Sequence, residues 1–182
     1  MLLVADLKGF WTLDPIDGTL GFLRGGQYAV CLALVVDGNT EVGVLGCPNF
    51  SVSSGSSERG VLLYGVKGDK AYETSLTDPC MQTAKVCQMT TLDDISKAKI
   101  CESVESGHAS HDQHSRITNL LGIKTASVRM DSQTKYAALA RGDAEIYLRL
   151  PVKTDYREKV WVISTKVEIL ILIGSCCRSV AG

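Results

Sequence analysis

The residues with the most chemical content lie in one string, Trp11-Thr12-Leu13-Asp14-Pro15-Ile16-Asp17-Gly18-Thr19. Two carboxylates flank a Pro-Ile pair. Pro15 fixes its own φ and biases Asp14 towards an extended conformation. That shape lets Asp14 and Asp17 converge on one point, with the Ile16 carbonyl between them. A set made only of oxygens favours a hard cation, Mg²⁺ before Zn²⁺. Gly18 and Thr19 then open a predicted helix, Thr19 to Leu23. A helix start offers free N–H groups and a positive dipole end to a phosphate. Metal ligands beside an anion cradle point to metal-assisted phosphoryl chemistry. The competing structural reading makes Asp14 a helix cap and Asp17-Gly18 a plain turn.

Other chemically able residues are scattered. Lys135 and Arg149 are cations suited to a phosphate. Ser132 can donate to a phosphate or ribose oxygen. Taken alone, these read as surface charge on a helix and a strand end. His108, His111 and His114 fall within seven residues. Their spacing drifts around a helix and no cysteine is near, so a three-ligand zinc face is poor. They read as a solvated loop and helix start, with His108 alone facing a ligand. Trp11 and Phe22 read as core.

The elements that must position these groups change style along the chain. Gln27 to Val36 is nearly continuous apolar, Asp37-Gly38-Asn39 turns it, and Glu41 to Leu45 returns until Gly46-Cys47-Pro48-Asn49. This predicts a buried hairpin. The Ser-rich stretch 51–57 is a loop. Gly60 to Val66 and Ala71 to Glu73 extend an antiparallel sheet. Later, strands at Ala98–Val104, Ala126–Met130 and Ala144–Leu150 alternate with helices at Ser110–Leu121 and Ser132–Ala140. Gly122 is a C-cap candidate for the first of these helices. Such alternation predicts a partly parallel, helix-covered sheet. The expected domains are 1–80 and 81–161, followed by a divergent tail, 162–182.

Composition excludes several function classes. The 182 residues suffice for a substantial core. The net charge of −1 leaves no basic excess for a nucleic-acid backbone or an anionic membrane. Seven scattered cysteines without a C-x-x-C pair read as thiols in a reducing compartment. The apolar run Ile169 to Ile173 is too short to span a bilayer. The expected location is the cytoplasm, with plastid or mitochondrial targeting left open.

The string DPIDGT, after a strand ending in Trp-Thr-Leu, resembles the lithium-sensitive, magnesium-dependent phosphatases related to inositol monophosphatase. Within them the chain is similar to the 3′(2′),5′-bisphosphate nucleotidases of plants and fungi. Phe22-Leu23-Arg24-Gly25, Gln27-Tyr28-Ala29-Val30, Gly43 to Asn49, Glu105-Ser106-Gly107-His108, Asp131 to Tyr136 and Tyr147 to Pro151 carry the resemblance further. It runs from about Gly9 to Trp161.

The resemblance implies an α-β-α-β-α sandwich, incomplete in this chain. It implies Mg²⁺ as cofactor and removal of the 3′-phosphate of 3′-phosphoadenosine 5′-phosphate to give AMP. 3′-Phosphoadenosine 5′-phosphosulfate is a related substrate. Asp14, the Ile16 carbonyl and Asp17 would hold metal, and Thr19 would orient the attacking water. His108, Ser132, Lys135 and Arg149 would contact the nucleotide, with Gly18 and Thr19 at the phosphate.

Two departures qualify these expectations. The family's acidic residues N-terminal to DPIDGT have no counterpart here, since ten residues precede Trp11. After Tyr156-Arg157-Glu158-Lys159-Val160-Trp161, Val162 stands where the family places a metal-binding aspartate. Reduced activity is therefore expected, and residues 162–182 are expected to derive from a retained intron or shifted frame. The alternatives are a non-catalytic nucleotide binder, a non-functional truncated isoform and, within the same class, an inositol phosphate phosphatase.

Overall fold

The computed structural model describes residues 9–104 and 111–148. Six strands form one antiparallel sheet in chain order. They are β1 (Gly9–Asp17), β2 (Ala29–Val36), β3 (Asn39–Ser51), β4 (Arg59–Val66), β5 (Ala71–Ser75) and β6 (Lys85–Val86). A short helix, α1 (Thr19–Leu23), links β1 to β2. After a 3₁₀ turn at Ile95–Lys97 come β7 (Ile100–Ser103), α2 (His111–Leu120), β8 (Val128–Met130), α3 (Thr134–Arg141) and β9 (Ile146–Tyr147). The second sheet has the order β8-β7-β9, with both neighbours parallel to β7. An antiparallel first half and an alternating, parallel second half agree with the patterning of the sequence. No described helix is long and apolar enough to cross a membrane.

Alternation sets which face of the large sheet is buried. Ala29, Cys31, Leu45, Cys47, Val61 and Leu63 all point inward and are at most 2% exposed. Helix α3 covers them. Every residue from Thr134 to Ala140 is buried, because α3 also packs on β7 and β9. A helix enclosed this way needs small side chains, and Ala137, Ala138 and Ala140 supply them. The outer face carries Leu32, Leu34, the stacked Tyr64–Tyr72 pair and the exposed Trp11, Leu13 and Val30.

Two expectations need correction. Trp11 and Phe22 are exposed, at 54% and 43%, rather than core. Trp11 sits opposite Leu34 on the outer face of an edge strand, and Phe22 packs edge-on against Tyr28 instead. Strand β3 does not stop at Gly46–Asn49 but runs through Pro48 to Ser51. The register slips between Cys47 and Ser51, and a proline is tolerated in such a bulge because no ladder N–H is required of it. The bulge is pinned by Asn49, whose carbonyl accepts from Gln27 Nε2 at 2.9 Å and Arg59 Nη1 at 2.8 Å.

Arg141 closes the end of α3 onto this bulge. Its guanidinium lies 4.0 Å from the Phe50 ring centre, donates to the Ser51 carbonyl at 2.6 Å and pairs with Asp143. Arg141→Ala leaves several part-buried acceptors without their donor. A loss of about 3 kcal/mol is expected, read as a lower urea midpoint at unchanged slope. Arg141→Lys should recover little of it, since an ammonium can neither fork nor stack as a guanidinium does.

Candidate active site

A slip in strand pairing builds the site. Asp14 pairs with Cys31 and Asp17 with Ala29, so three steps on β1 match two on β2. Without that bulge, residues three apart on a strand face opposite ways. The Pro15-Ile16 bulge restores parity, and both carboxylates share the inner face with Cys31 and Ala29. Burial raises the Asp14 pKa, and a hydrogen bond from the Ile16 N–H partly opposes this. Thr19 Oγ1 donates to the Ile16 carbonyl at 3.4 Å. The expected metal-binding carbonyl and water-orienting hydroxyl are thus adjacent.

The α1 helix starts at Thr19 as its sequence predicts, but it has only five residues. The more consequential helix start is that of α3. The Gln133 N–H donates to Asp17 Oδ2 at 2.5 Å. A carboxylate from 116 residues away therefore serves as a cap for α3, where the helix dipole favours negative charge.

Ser132 precedes this contact with φ +61, a left-handed conformation uncommon for a residue with a side chain. Its hydroxyl lies 2.8 Å from Thr134 Oγ1 and accepts the Thr134 N–H at 3.2 Å. Gly18 meets Ser132 face to face. A Cβ on Gly18 would lie 2.6 Å from the Ser132 Cβ.

Lys135 is not the surface charge its sequence context suggests. It is 5% exposed, and its ammonium donates to the Met130 carbonyl at 3.2 Å and lies 5.5 Å from the Tyr147 ring centre. Its position inside a helix enclosed by two sheets explains the burial. His114 likewise departs from the solvated reading. It is 2% exposed, and its Nδ1 lies 3.9 Å from Glu102 Oε2. Among the described residues, no group of three or more His, Cys, Asp or Glu could hold a metal. His108 and Arg149, the segment Tyr156–Val162 and the divergent tail lie outside the described residues.

Sequence reasoning assigned no role to Gln133, Arg24 or Asp131. Arg24 Nη2 reaches both carboxylate oxygens of Asp131, at 3.0 and 2.9 Å. No local signal marks a bond across 107 positions. A cavity of about 420 Å³ is lined in part by Asn49, Arg59, Arg129 and Asp131. None of the sequence-predicted site residues that are among the described residues lines it.

The thiols are graded by environment. Burial pushes Cys47 and Cys87 up to about 12 and Cys101 up to about 11. Hydrogen bonding from Thr83 holds Cys80 below its usual value. A lower pKa means more thiolate at a given pH, so iodoacetamide at pH 8 should modify Cys80 well before Cys47, Cys87 and Cys101. Peptide mass spectrometry after timed labelling checks the order.

The donor set fits a hard divalent cation as a partial shell. Asp14, Asp17 and the Ile16 carbonyl are oxygen donors, and Mg²⁺ usually keeps several waters and takes the rest from carboxylates and phosphate. An antiparallel sheet covered by a buried helix, with two aspartates at a strand bulge and one of them capping that helix, defines a layered α/β protein. The model of the inositol monophosphatase family matches residues 5–163, and the chain belongs to that family.

Among curated proteins, it is 46% identical over 164 residues to the 3′(2′),5′-bisphosphate nucleotidase of Emericella nidulans. That match covers 83% of this chain and 47% of the relative. The Arabidopsis thaliana 3′(2′),5′-bisphosphate nucleotidase 1 is 46% identical, over 83% of this chain and 44% of its own length. The chain thus spans about half the length of the curated relatives it matches. Among solved structures, Mycobacterium tuberculosis SuhB superposes with a TM-score of 0.64 at 21% identity, covering 92% of this chain and 61% of SuhB. CysQ from Bacteroides thetaiotaomicron, a bacterial member of the inositol monophosphatase family, gives 0.64 at 22%, covering 92% and 60%. At that identity, both report the fold alone.

Proposed function

We propose that the chain carries part of the metal site of a Mg²⁺-dependent phosphatase acting on the 3′-phosphate of 3′-phosphoadenosine 5′-phosphate, with the related phosphosulfate as a second substrate. The observation that carries this reading is the β1 bulge, which sets Asp14 and Asp17 on one face beside Thr19. The names of the curated relatives support the substrate class.

In this reading Asp14, Asp17 and the Ile16 carbonyl hold Mg²⁺. The bound ion supplies Lewis-acid polarisation of the phosphate and charge neutralisation. Thr19 Oγ1 orients the attacking water. Gly18 brings bare backbone against Ser132 at the phosphate, Ser132 donates to a phosphate or ribose oxygen, and Lys135 offsets phosphate charge from its buried position. His108 and Arg149 are assigned to the nucleotide as well. In the hydrolysis a water oxygen bonds to phosphorus, the bond from phosphorus to the ribose 3′-oxygen breaks, and the departing oxygen gains a proton to give AMP. A cytoplasmic setting belongs to the same proposal.

Two described carboxylates are a sparse shell, and turnover below about 1 s⁻¹ is expected, slow against typical enzymes. Phosphate release from 3′-phosphoadenosine 5′-phosphate with Mg²⁺ tests the reading, with inositol 1-phosphate alongside. Release no faster than that of an Asp17→Asn variant overturns it, and a preference for inositol 1-phosphate moves the substrate class. The sparse shell also favours a second reading, a nucleotide binder without catalysis. Calorimetry with AMP separates the two: binding indifferent to Mg²⁺ supports the second.

A further inference from the structure

Ser132 poses a physical question. A side-chain-bearing residue in the left-handed region persists only where its surroundings over-determine it. The residues on either side supply that constraint. Gln133 is held by Asp17, as described above. Asp131 is held by Arg24, one guanidinium nitrogen straddling both carboxylate oxygens. Asp131 is buried at 8% exposure, so this acceptor is not freely solvated.

Arg24 itself stands on the last turn of α1. Its backbone N–H bonds the Leu20 and Gly21 carbonyls at 3.2 Å, and the Gly26 N–H returns to Gly21 at 2.8 Å. Helix and turn are in direct contact: a Cβ on Gly21 would lie 2.7 Å from the Asp131 Cβ. The two ends of α1 therefore grip one three-residue turn. Gly18 abuts Ser132 at one end, and Arg24 holds Asp131 at the other.

We propose that Arg24, through Asp131, is a positioning residue of the site, holding the Asp131-Ser132-Gln133 turn so that the Gln133 N–H fixes the Asp17 carboxylate and Ser132 stays seated against Gly18. This rests on the function proposed above. Releasing Asp131 lets Ser132 relax to an ordinary φ, and that rotation carries the Gln133 N–H away from Asp17. Ion uptake at Asp17 and nucleotide binding at Ser132 and Lys135 are then coupled through one peptide, and by linkage each ligand strengthens the other.

Arg24→Gln and Arg24→Lys in the full chain test the clamp. Native-state hydrogen exchange at the Gln133 amide reads it without any ligand. Mn²⁺ and AMP affinities read its effect on the site. In Arg24→Gln, Gln133 exchange is expected to rise at least about tenfold while the Leu45 and Leu63 amides keep their protection. Mn²⁺ affinity is expected to fall about tenfold, the lower end for a lost supporting contact at a metal site. Arg24→Lys should recover part of both, since one nitrogen makes the contact.

Unchanged Gln133 exchange in Arg24→Gln overturns the clamp, as does a rise shared equally by Leu45 and Leu63, which marks a stability role only. If Arg24→Gln fails to fold, Arg24→Lys decides on the same amides. A wild-type chain that takes up neither Mn²⁺ nor AMP overturns the proposed function, while the Gln133 amide still judges the clamp.

Discussion

Asp17→Asn is expected to abolish divalent-ion uptake while leaving the fold in place. The carboxylate has two separable roles. One oxygen accepts the Gln133 N–H at the start of α3. An asparagine carbonyl accepts the same bond, and asparagine is among the best helix caps. The negative charge is what a hard cation requires, and a neutral amide gives it little. The fall in Mn²⁺ affinity should exceed about 100-fold, the upper end for losing even a supporting contact. The melting temperature should shift little.

Asp17→Ala removes both roles. It is expected to add a stability loss of about 1–2 kcal/mol, the usual cost of a missing cap. Manganese titration by electron paramagnetic resonance, with thermal unfolding of both variants, checks the pair. Wild-type Mn²⁺ affinity in Asp17→Asn would show that the bulge does not build an ion site.

Gly18→Ala is expected to be among the most damaging single-methyl additions in the chain. The residue has φ +82, which costs an L-residue about 1–2 kcal/mol. The added Cβ would also sit 2.6 Å from the Ser132 Cβ, below any stable contact. Overpacking of this kind costs about 1–3 kcal/mol. Together, roughly 3 kcal/mol lowers the melting temperature by about 6–12 °C for a chain of this size. AMP affinity should fall too, because Ser132 must move for the methyl to fit. Gly25→Ala is the control. Its φ is +68, and nothing lies within 4 Å of the added atom, so only the backbone cost remains. Equal melting temperatures for the two variants would show that the contact with Ser132 relaxes freely.

Local patterning made much of the chain legible. The β2–β3 hairpin, the 51–57 loop, α1 at Thr19 and α3 up to Gly142 follow from alternation, turn residues and stop signals. All of these act over a few residues. The aspartate pair was legible as chemistry for the same reason, since a proline between two carboxylates restricts a short stretch of backbone.

What failed depended on partners distant in sequence. Trp11 looks like core in a string of apolar residues, yet an edge strand shows one face outward. Lys135 and His114 look solvated, yet the first lies in a helix enclosed by two sheets and the second against Glu102. Pro48 looks like a strand end, yet Asn49, Gln27 and Arg59 carry β3 past it.

The sequence alone determined the elements, the kinds of donor atoms and their order, because propensity, alternation and side-chain chemistry are local properties. Tertiary structure decided their convergence. The slip of β1 against β2 turned two aspartates to one face, and the packing of α3 between the sheets brought Gln133 to Asp17. Which strand slips, and which helix end meets which carboxylate, is fixed only when surfaces far apart in the chain are buried together.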